Sequence, residues 1–231
     1  MNNNQIMLYL EKYRGITTEQ CANIFYKGER RSAVRKLHSM VDKGLLDSFN
    51  IGMLKVYTTG KKISRHDLYV MDFYAWVIAN NGSVIDFKLT PRLLNGLLIP
   101  DALCKIKLPY RGRIYTTFVL LEIDYTHYTG NDKLNVLYER LYREGELSDY
   151  CGKAEFPILV IARQKIDIKY RSNNFEVIYT DFNYTNLINF IFDWHMTLTM
   201  TYDIKYVWSG IISIKSIANI IGTKPNRRSV S

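Results

Sequence analysis

Several common signals are scarce or missing in this chain of 231 residues. It has three cysteines, Cys21, Cys104 and Cys151, each far from the others. That number and spacing exclude a disulfide framework and a zinc ribbon. Its four histidines, His38, His66, His127 and His195, are scattered, so no metal-binding histidine cluster stands beside a tyrosine nucleophile. No glycine-rich loop of the kind that cradles phosphates is present, which argues against ATP use. Apolar stretches are broken by Asp, Asn or Lys well short of the roughly 18 residues a membrane span needs. Residues 1–5 are polar, without a secretory apolar run. A reducing cytoplasm and no membrane contact are the expectation. Hydrophobic residues at 47% and charged residues at 23% indicate a globular chain with a real core.

What the chain does have is positive charge, unevenly placed. Of 31 Lys and Arg, eleven lie in the first 62 residues, against five of the 22 Asp and Glu; that quarter carries +6 of the total +9. A basic segment of this kind favours a polyanion.

The same segment has a recognisable order. Gln5 to Arg14 reads as a helix with Ile6, Leu8, Leu10 and Tyr13 inward, ended by Gly15. Thr17 and Gln20 have the spacing of a capping box and open a second helix with Cys21, Ile24 and Phe25 as its apolar face. Lys27-Gly28 breaks it. Glu29 to Lys43 forms a third, with Val34, Leu37, Met40 and Val41 inward and Gly44 at its end. Two short strands around Asn50-Ile51-Gly52 complete a winged helix-turn-helix, residues 1–62. The second helix of such a motif enters the major groove with its N-terminal residues at base edges. Arg30, Arg31, Ser32, Arg35 and Lys36 occupy those turns, and Lys55 lies in the wing. Arg is the common donor to guanine and Lys to phosphate, so double-stranded DNA is the expected partner. A solvated charged face is the plainer alternative.

Residues 63–82 read as a connecting helix, apolar on most sides through Leu68, Val70, Phe73, Trp76 and Val77. It must be buried, either on the next domain or on a second copy, so a homodimer is one expectation. From residue 83 strands alternate with helices: Val84 to Leu89, Ile99 to Leu108, Ile114 to Tyr125, a helix over Asp132 to Leu147, then Phe156 to Ala162 and Phe175 to Thr180, with a further helix over Asn186 to Trp194. That alternation implies an α/β domain, residues 83–221, before a polar basic tail, residues 222–231. Glu122 and Asp124 are two apart on a strand and share a face, and Asp101 can reach them from a neighbouring strand. Crowded carboxylates repel one another, and Mg²⁺ would relieve that and supply nuclease chemistry. Equally, they cap strand ends or pair with nearby Lys and Arg. His127, beside the acidic segment, is a weaker candidate base.

Pro100-Asp101 followed by Glu122-x-Asp124 resembles the PD-(D/E)XK nuclease pattern. The chain more fully resembles the replication-relaxation family of plasmids and mobile elements. The resemblance runs through Ile16-Thr17-Thr18-Glu19-Gln20, the Arg-rich helix ending Lys43-Gly44-Leu45-Leu46, Val56-Tyr57-Thr58 and His66-Asp67-Leu68. It continues through Ile99-Pro100-Asp101-Ala102, Leu121-Glu122-Ile123-Asp124, Lys133-Leu134 and Tyr138. It covers roughly Ile16 to Ala162. It implies a winged helix joined to a restriction-endonuclease-like mixed sheet, and a role in replication, relaxation or transfer alongside other replication or transfer proteins. The nuclease pattern has Lys where this chain has Asp124; Lys133, on the following helix, substitutes only if it points back to the sheet. A non-catalytic binding protein is the first reading, a Mg²⁺-dependent endonuclease with Asp101, Glu122, Asp124 and Lys133 as its site the second, and a transcriptional regulator the third.

Overall fold

A computed structural model describes residues 3–130, 132–152, 156–165, 170–185 and 187–193. The basic tail and all residues after 193 lie outside them, as do both ends of the helix expected over Asn186 to Trp194. One compact unit ends at Leu187. It is a mixed α/β structure with two sheets.

The first 60 residues run α1 (Asn3–Tyr13), β1 (Gly15–Thr17), α2 (Thr18–Phe25), α3 (Arg30–Asp42), β2 (Asp47–Ile51) and β3 (Leu54–Thr58). The three strands form an antiparallel sheet in the order β1-β3-β2. α2 starts where the sequence predicts: the Thr17 side chain accepts from the Gln20 amide, and Gln20 reaches back to the Thr17 N–H. α3 ends at a left-handed Gly44, whose N–H donates to the Val41 carbonyl while Leu45 N–H donates to that of Met40.

Three details differ from expectation. Leu8 is 65% exposed, because Ile6, Tyr9, Leu10 and Tyr13 alone form the inward stripe of α1. In α3 the stripe is rotated by one residue: Ala33, Leu37 and Met40 are buried, while Val34 and Val41 are only half-buried. Close packing of α2 on α3 favours the small Ala33 at the contact. Between the helix stop at Gly15 and the cap at Thr17, three residues carry no period of their own; they form a strand because Gly15 to Thr17 pair with Thr58 to Val56. Gly15 fits closely there, since a Cβ would stand 2.9 Å from the Ile63 side chain, which would have to shift.

α4 (Arg65–Ala79) follows, opened by a second capping box between Ser64 and Asp67. Its Leu68, Val70, Met71, Phe73, Ala75 and Val77 are all buried within the one chain. One side meets the first sheet and α2. Gln20 Nε2 donates to the Leu68 carbonyl and to Asp72 Oδ1, both at 2.8 Å. An aromatic run, Tyr9, Tyr13, Tyr74 and Phe87, ties α1 to α4 and the second sheet. The apolar surface that suggested a second copy is thus covered by the chain itself. At Gly82 a Cβ would lie 2.7 Å from the carbonyls of Lys107 and Val77, so only glycine lets α4 turn directly into the sheet.

The second sheet contains β4 (Ser83–Leu89), β5 (Ala102–Tyr110), β6 (Arg113–Asp124), β7 (Ile158–Arg163) and β8 (Val177–Thr180), in that spatial order. β4, β5 and β6 pair antiparallel; β6, β7 and β8 pair parallel. Only β5 therefore runs against the rest. β7 is buried at every position and Phe118 to Asp124 of β6 likewise, as central strands covered on both faces must be. α4 lies on one face. On the other, Leu103, Leu120, Leu159 and Ile161 pack with Leu134, Tyr138, Leu141 and Leu147. β5 begins at Ala102 rather than Ile99, because Leu93 and Leu98 close a turn of their own just before it. The helix expected over Asp132 to Leu147 is divided. Lys133–Tyr138 is a π-type turn, α5 (Glu139–Glu144) stops at left-handed Gly145, and α6 (Ser148–Cys151) follows. The extra residue per turn in the π segment rotates its side chains relative to a regular helix and aims both Lys133 and Tyr138 at the sheet.

Candidate nucleic-acid interface and buried carboxylate cluster

α3 separates its residue types by face. Ala33, Leu37 and Met40 go inward, and Arg31, Arg35 and His38, at positions i, i+4 and i+7, go outward. The Arg31 and Arg35 side chains are exposed, and among the described residues Arg35 makes only a long 3.5 Å contact to Ser32 Oγ. Lys36 is half-buried on the flank. From the wing, Lys55 Nζ lies 3.2 Å from His38 Nε2 and 5.6 Å from the Tyr57 ring centre, so the wing cation adjoins the helix cations. Arg30 turns away. Its Nε donates to Glu19 of α2 in an exposed ion pair. Of the six residues expected to face DNA, Arg31, Arg35 and Lys55 thus lie along one exposed ridge, with Ser32 and Lys36 beside it and Arg30, also exposed, held by Glu19. His38 joins the ridge and was not anticipated; its i+7 spacing from Arg31 was the available signal.

In the second sheet, Asp101, Glu122 and Asp124 do come together, as their strand positions require. Asp101 precedes β5, and its N–H donates to the Leu121 carbonyl. Its Oδ2 accepts from the Ile123 N–H at 2.6 Å and stands 3.3 Å from His66 Nε2 at the start of α4. That hydrogen bond, more than any other effect, raises the His66 pKa.

Glu122 is 3% exposed. Lys133 Nζ lies 2.6 Å from its Oε1 and 2.8 Å from its Oε2, and the Tyr138 hydroxyl donates to Oε1. Lys133 therefore does point back to the sheet; it also donates to the Ile99 carbonyl. Burial pushes the Glu122 carboxyl up to about 7, against the pull of Lys133. The buried Tyr138 phenol is raised as well, first by burial and then by the Glu122 charge.

Asp124 is 2% exposed. Its Oδ1 accepts from the Thr129 N–H at 2.7 Å and hydroxyl at 2.6 Å, and its Oδ2 from Arg163 Nη2 at 2.5 Å. The Arg163 guanidinium lies between the rings of Tyr128 and Tyr179, each 4.7 Å away. Arg163, Tyr138 and Thr129 were not read as site residues. Tyr138 entered only through the family resemblance, and Arg163, whose partner is 39 positions away, has no local signal.

The three carboxylates consequently face protein donors rather than one another. Among the described residues no group of three or more His, Cys, Asp and Glu side chains is arranged to hold a metal ion. In this arrangement both oxygens of Glu122 and of Asp124 are engaged, so the residues present do not fit Mg²⁺ without rearrangement. His127 is exposed on the loop after β6. Among the described residues no helix is long and apolar enough to cross a membrane. The chain matches no family model, and no curated protein or solved structure is significantly similar to it.

Proposed function

We propose that the protein binds double-stranded DNA through α3 and the β2–β3 hairpin, as a winged helix-turn-helix. The observation that carries this reading is the ridge of Arg31, Arg35 and Lys55, with His38 beside Lys55: exposed cations of the wing and of the outward face of a helix whose opposite face is core. Cations free of internal carboxylates are available to phosphates and base edges. The element order, three helices with a small sheet and a hairpin wing, supports it, and so does the +6 charge of the first 62 residues.

The second sheet, with only its second strand reversed and α4 before it, supports a restriction-endonuclease-like assignment. We read that domain as a scaffold rather than a nuclease, since Lys133, Tyr138, Thr129 and Arg163 occupy the oxygens of Glu122 and Asp124. With the resemblance to the replication-relaxation family, this suggests a site-binding protein of a plasmid, phage or integrated element that acts in replication, relaxation or transfer.

Arg31→Ala and Arg35→Ala are each expected to weaken duplex binding by about 1–3 kcal/mol if the residue reads a base. Electrophoretic mobility shift against genomic fragments measures this; unchanged affinity in both variants removes α3 as the reader. Binding should also fall steeply with salt, through counterion release. Supercoiled plasmid incubated with Mg²⁺ or Mn²⁺ tests the scaffold reading, which is overturned by nicking that Glu122→Ala abolishes.

A further inference from the structure

A cleft of about 620 Å³ opens between the first sheet with α2 on one side and α4 on the other. That size lies within the range of small-ligand sites. One stripe of α4 lines it: Arg65, Tyr69, Asp72 and Trp76, at i, i+4, i+7 and i+11. Phe182, from the segment after β8, lies against Tyr69 with ring centres 4.5 Å apart and planes 22° apart.

The stripe alternates chemistry in a defined order. At its N-terminal end is a cation. Arg65 lies over the rings of Tyr69 and Tyr125, at 5.8 and 5.3 Å, and close under the wing, where a Cβ on Gly52 would be 3.5 Å from its Nη1. Its Nε is buried and has no hydrogen-bond partner among the described residues, a costly state for a charged donor. Next come aromatic rings. Further along is Asp72, held by Gln20 through Oδ1. Burial raises its carboxyl to about 6. Arg65 and Asp72 are seven residues apart, roughly 10 Å of helix, a separation comparable to that between the phosphate and the base edge of a nucleotide.

We propose that this cleft binds a nucleotide, with its phosphate on Arg65, its base against the Tyr69–Phe182 pair and Trp76, and an N–H edge of the base on Asp72. Arg65 lines the cleft, so the outer end of its guanidinium can donate to a phosphate there, and the rings supply a stacking platform that any base can use. The same chemistry arises from a free mononucleotide or from one unit of a single strand, and the cleft opens beside the wing in either case. Lys55 of the ridge also lines the cleft, but neither Arg65 nor Asp72 lies on α3, so the inference does not rest on duplex binding through that helix.

The test uses the full chain, with tryptophan fluorescence and calorimetry as readouts. The probes are the four deoxynucleoside monophosphates, the matching nucleosides and a short single-stranded oligonucleotide. Arg65→Gln should weaken monophosphate binding roughly tenfold, the loss expected for one charged hydrogen-bonded contact, and leave the nucleosides unaffected. Asp72→Asn, which retains the acceptor for Gln20, should change the order of preference among the four bases. Monophosphate binding with these responses identifies a free nucleotide as ligand; the same responses seen only with the oligonucleotide identify a strand. Failure to bind any probe at millimolar concentration, or binding indifferent to both variants, overturns the proposal. Arg31→Ala serves as a control that should leave all these affinities unchanged.

Discussion

The α3 ridge and the carboxylate end of β6 are both rich in charge, and they treat it in opposite ways. Arg31 and Arg35 stand in solvent with almost no internal partner. Glu122 and Asp124 are 3% and 2% exposed and engage Lys133, Tyr138, Thr129 and Arg163. Burial explains the difference. An exposed cation keeps its hydration and needs no fixed partner, so it stays available to a ligand. A buried carboxylate must be matched inside the protein, or the desolvation cost of several kcal/mol goes uncompensated. The charges free to act on a partner and the charges that hold the fold are therefore different sets.

That contrast breaks most sharply at Arg163. Arg163→Met removes the cation from a buried pair and strands Asp124, and should destabilise the protein by about 3–5 kcal/mol. Urea denaturation measures this; a loss below about 1 kcal/mol, the level of an exposed pair, would show that the Asp124 site is wet or pliable.

Glu122 gives a pH signature. Its folded pKa of about 7 stands above the ordinary 4.5, so the folded state holds a proton that the unfolded chain has released between those values. The stabilisation is complete below about 4.5 and is lost as pH rises through about 7. Glu122→Gln should flatten this fall in the urea midpoint. A smaller slope of the same sign remains from Asp72, which is raised to about 6 by burial. A variant with the wild-type slope would show that Lys133 keeps Glu122 ionised throughout.

Thr17→Ala, which removes one half of the first capping box, should cost about 1 kcal/mol of stability, measured as a shift in the same urea midpoint. Smallest of all is the effect on stability of Arg31→Ala or Arg35→Ala, within about 0.5 kcal/mol because the side chains are exposed. Duplex affinity should nonetheless fall in both. If either variant melts substantially earlier than wild type, the ridge belongs to the fold and the contrast with the carboxylate end fails.

Elements with a local signal were legible in sequence. Thr17 and Gln20 cap a helix because side chain and backbone three residues apart satisfy each other. Gly44 ends α3 because its left-handed backbone suits glycine, and the unbroken apolar centre of β6 marks a strand buried on both faces. The juxtaposition of Asp101, Glu122 and Asp124 was legible too, since strand alternation and neighbouring strands require it. Lys133 was legible only as a candidate, because its direction depends on the π turn over Lys133–Tyr138. β1 exists solely through β3, and the position of Arg30 against Glu19 depends on how α2 and α3 pack.

By itself, then, the amino-acid sequence determined the order of most helices and strands and much of the core, and that the first quarter is basic. Those follow from periodicity, caps and composition, which act over a few residues. The tertiary structure alone decided which charges remain free. It sent Arg30 back onto Glu19, closed the carboxylates with Lys133, Tyr138, Thr129 and Arg163, covered α4 within a single chain, and set Arg65 and Asp72 along one wall of a cleft. Desolvation and pairing depend on what the fold brings within a few ångströms, and nearly all of these partners stand more than ten residues away in the chain.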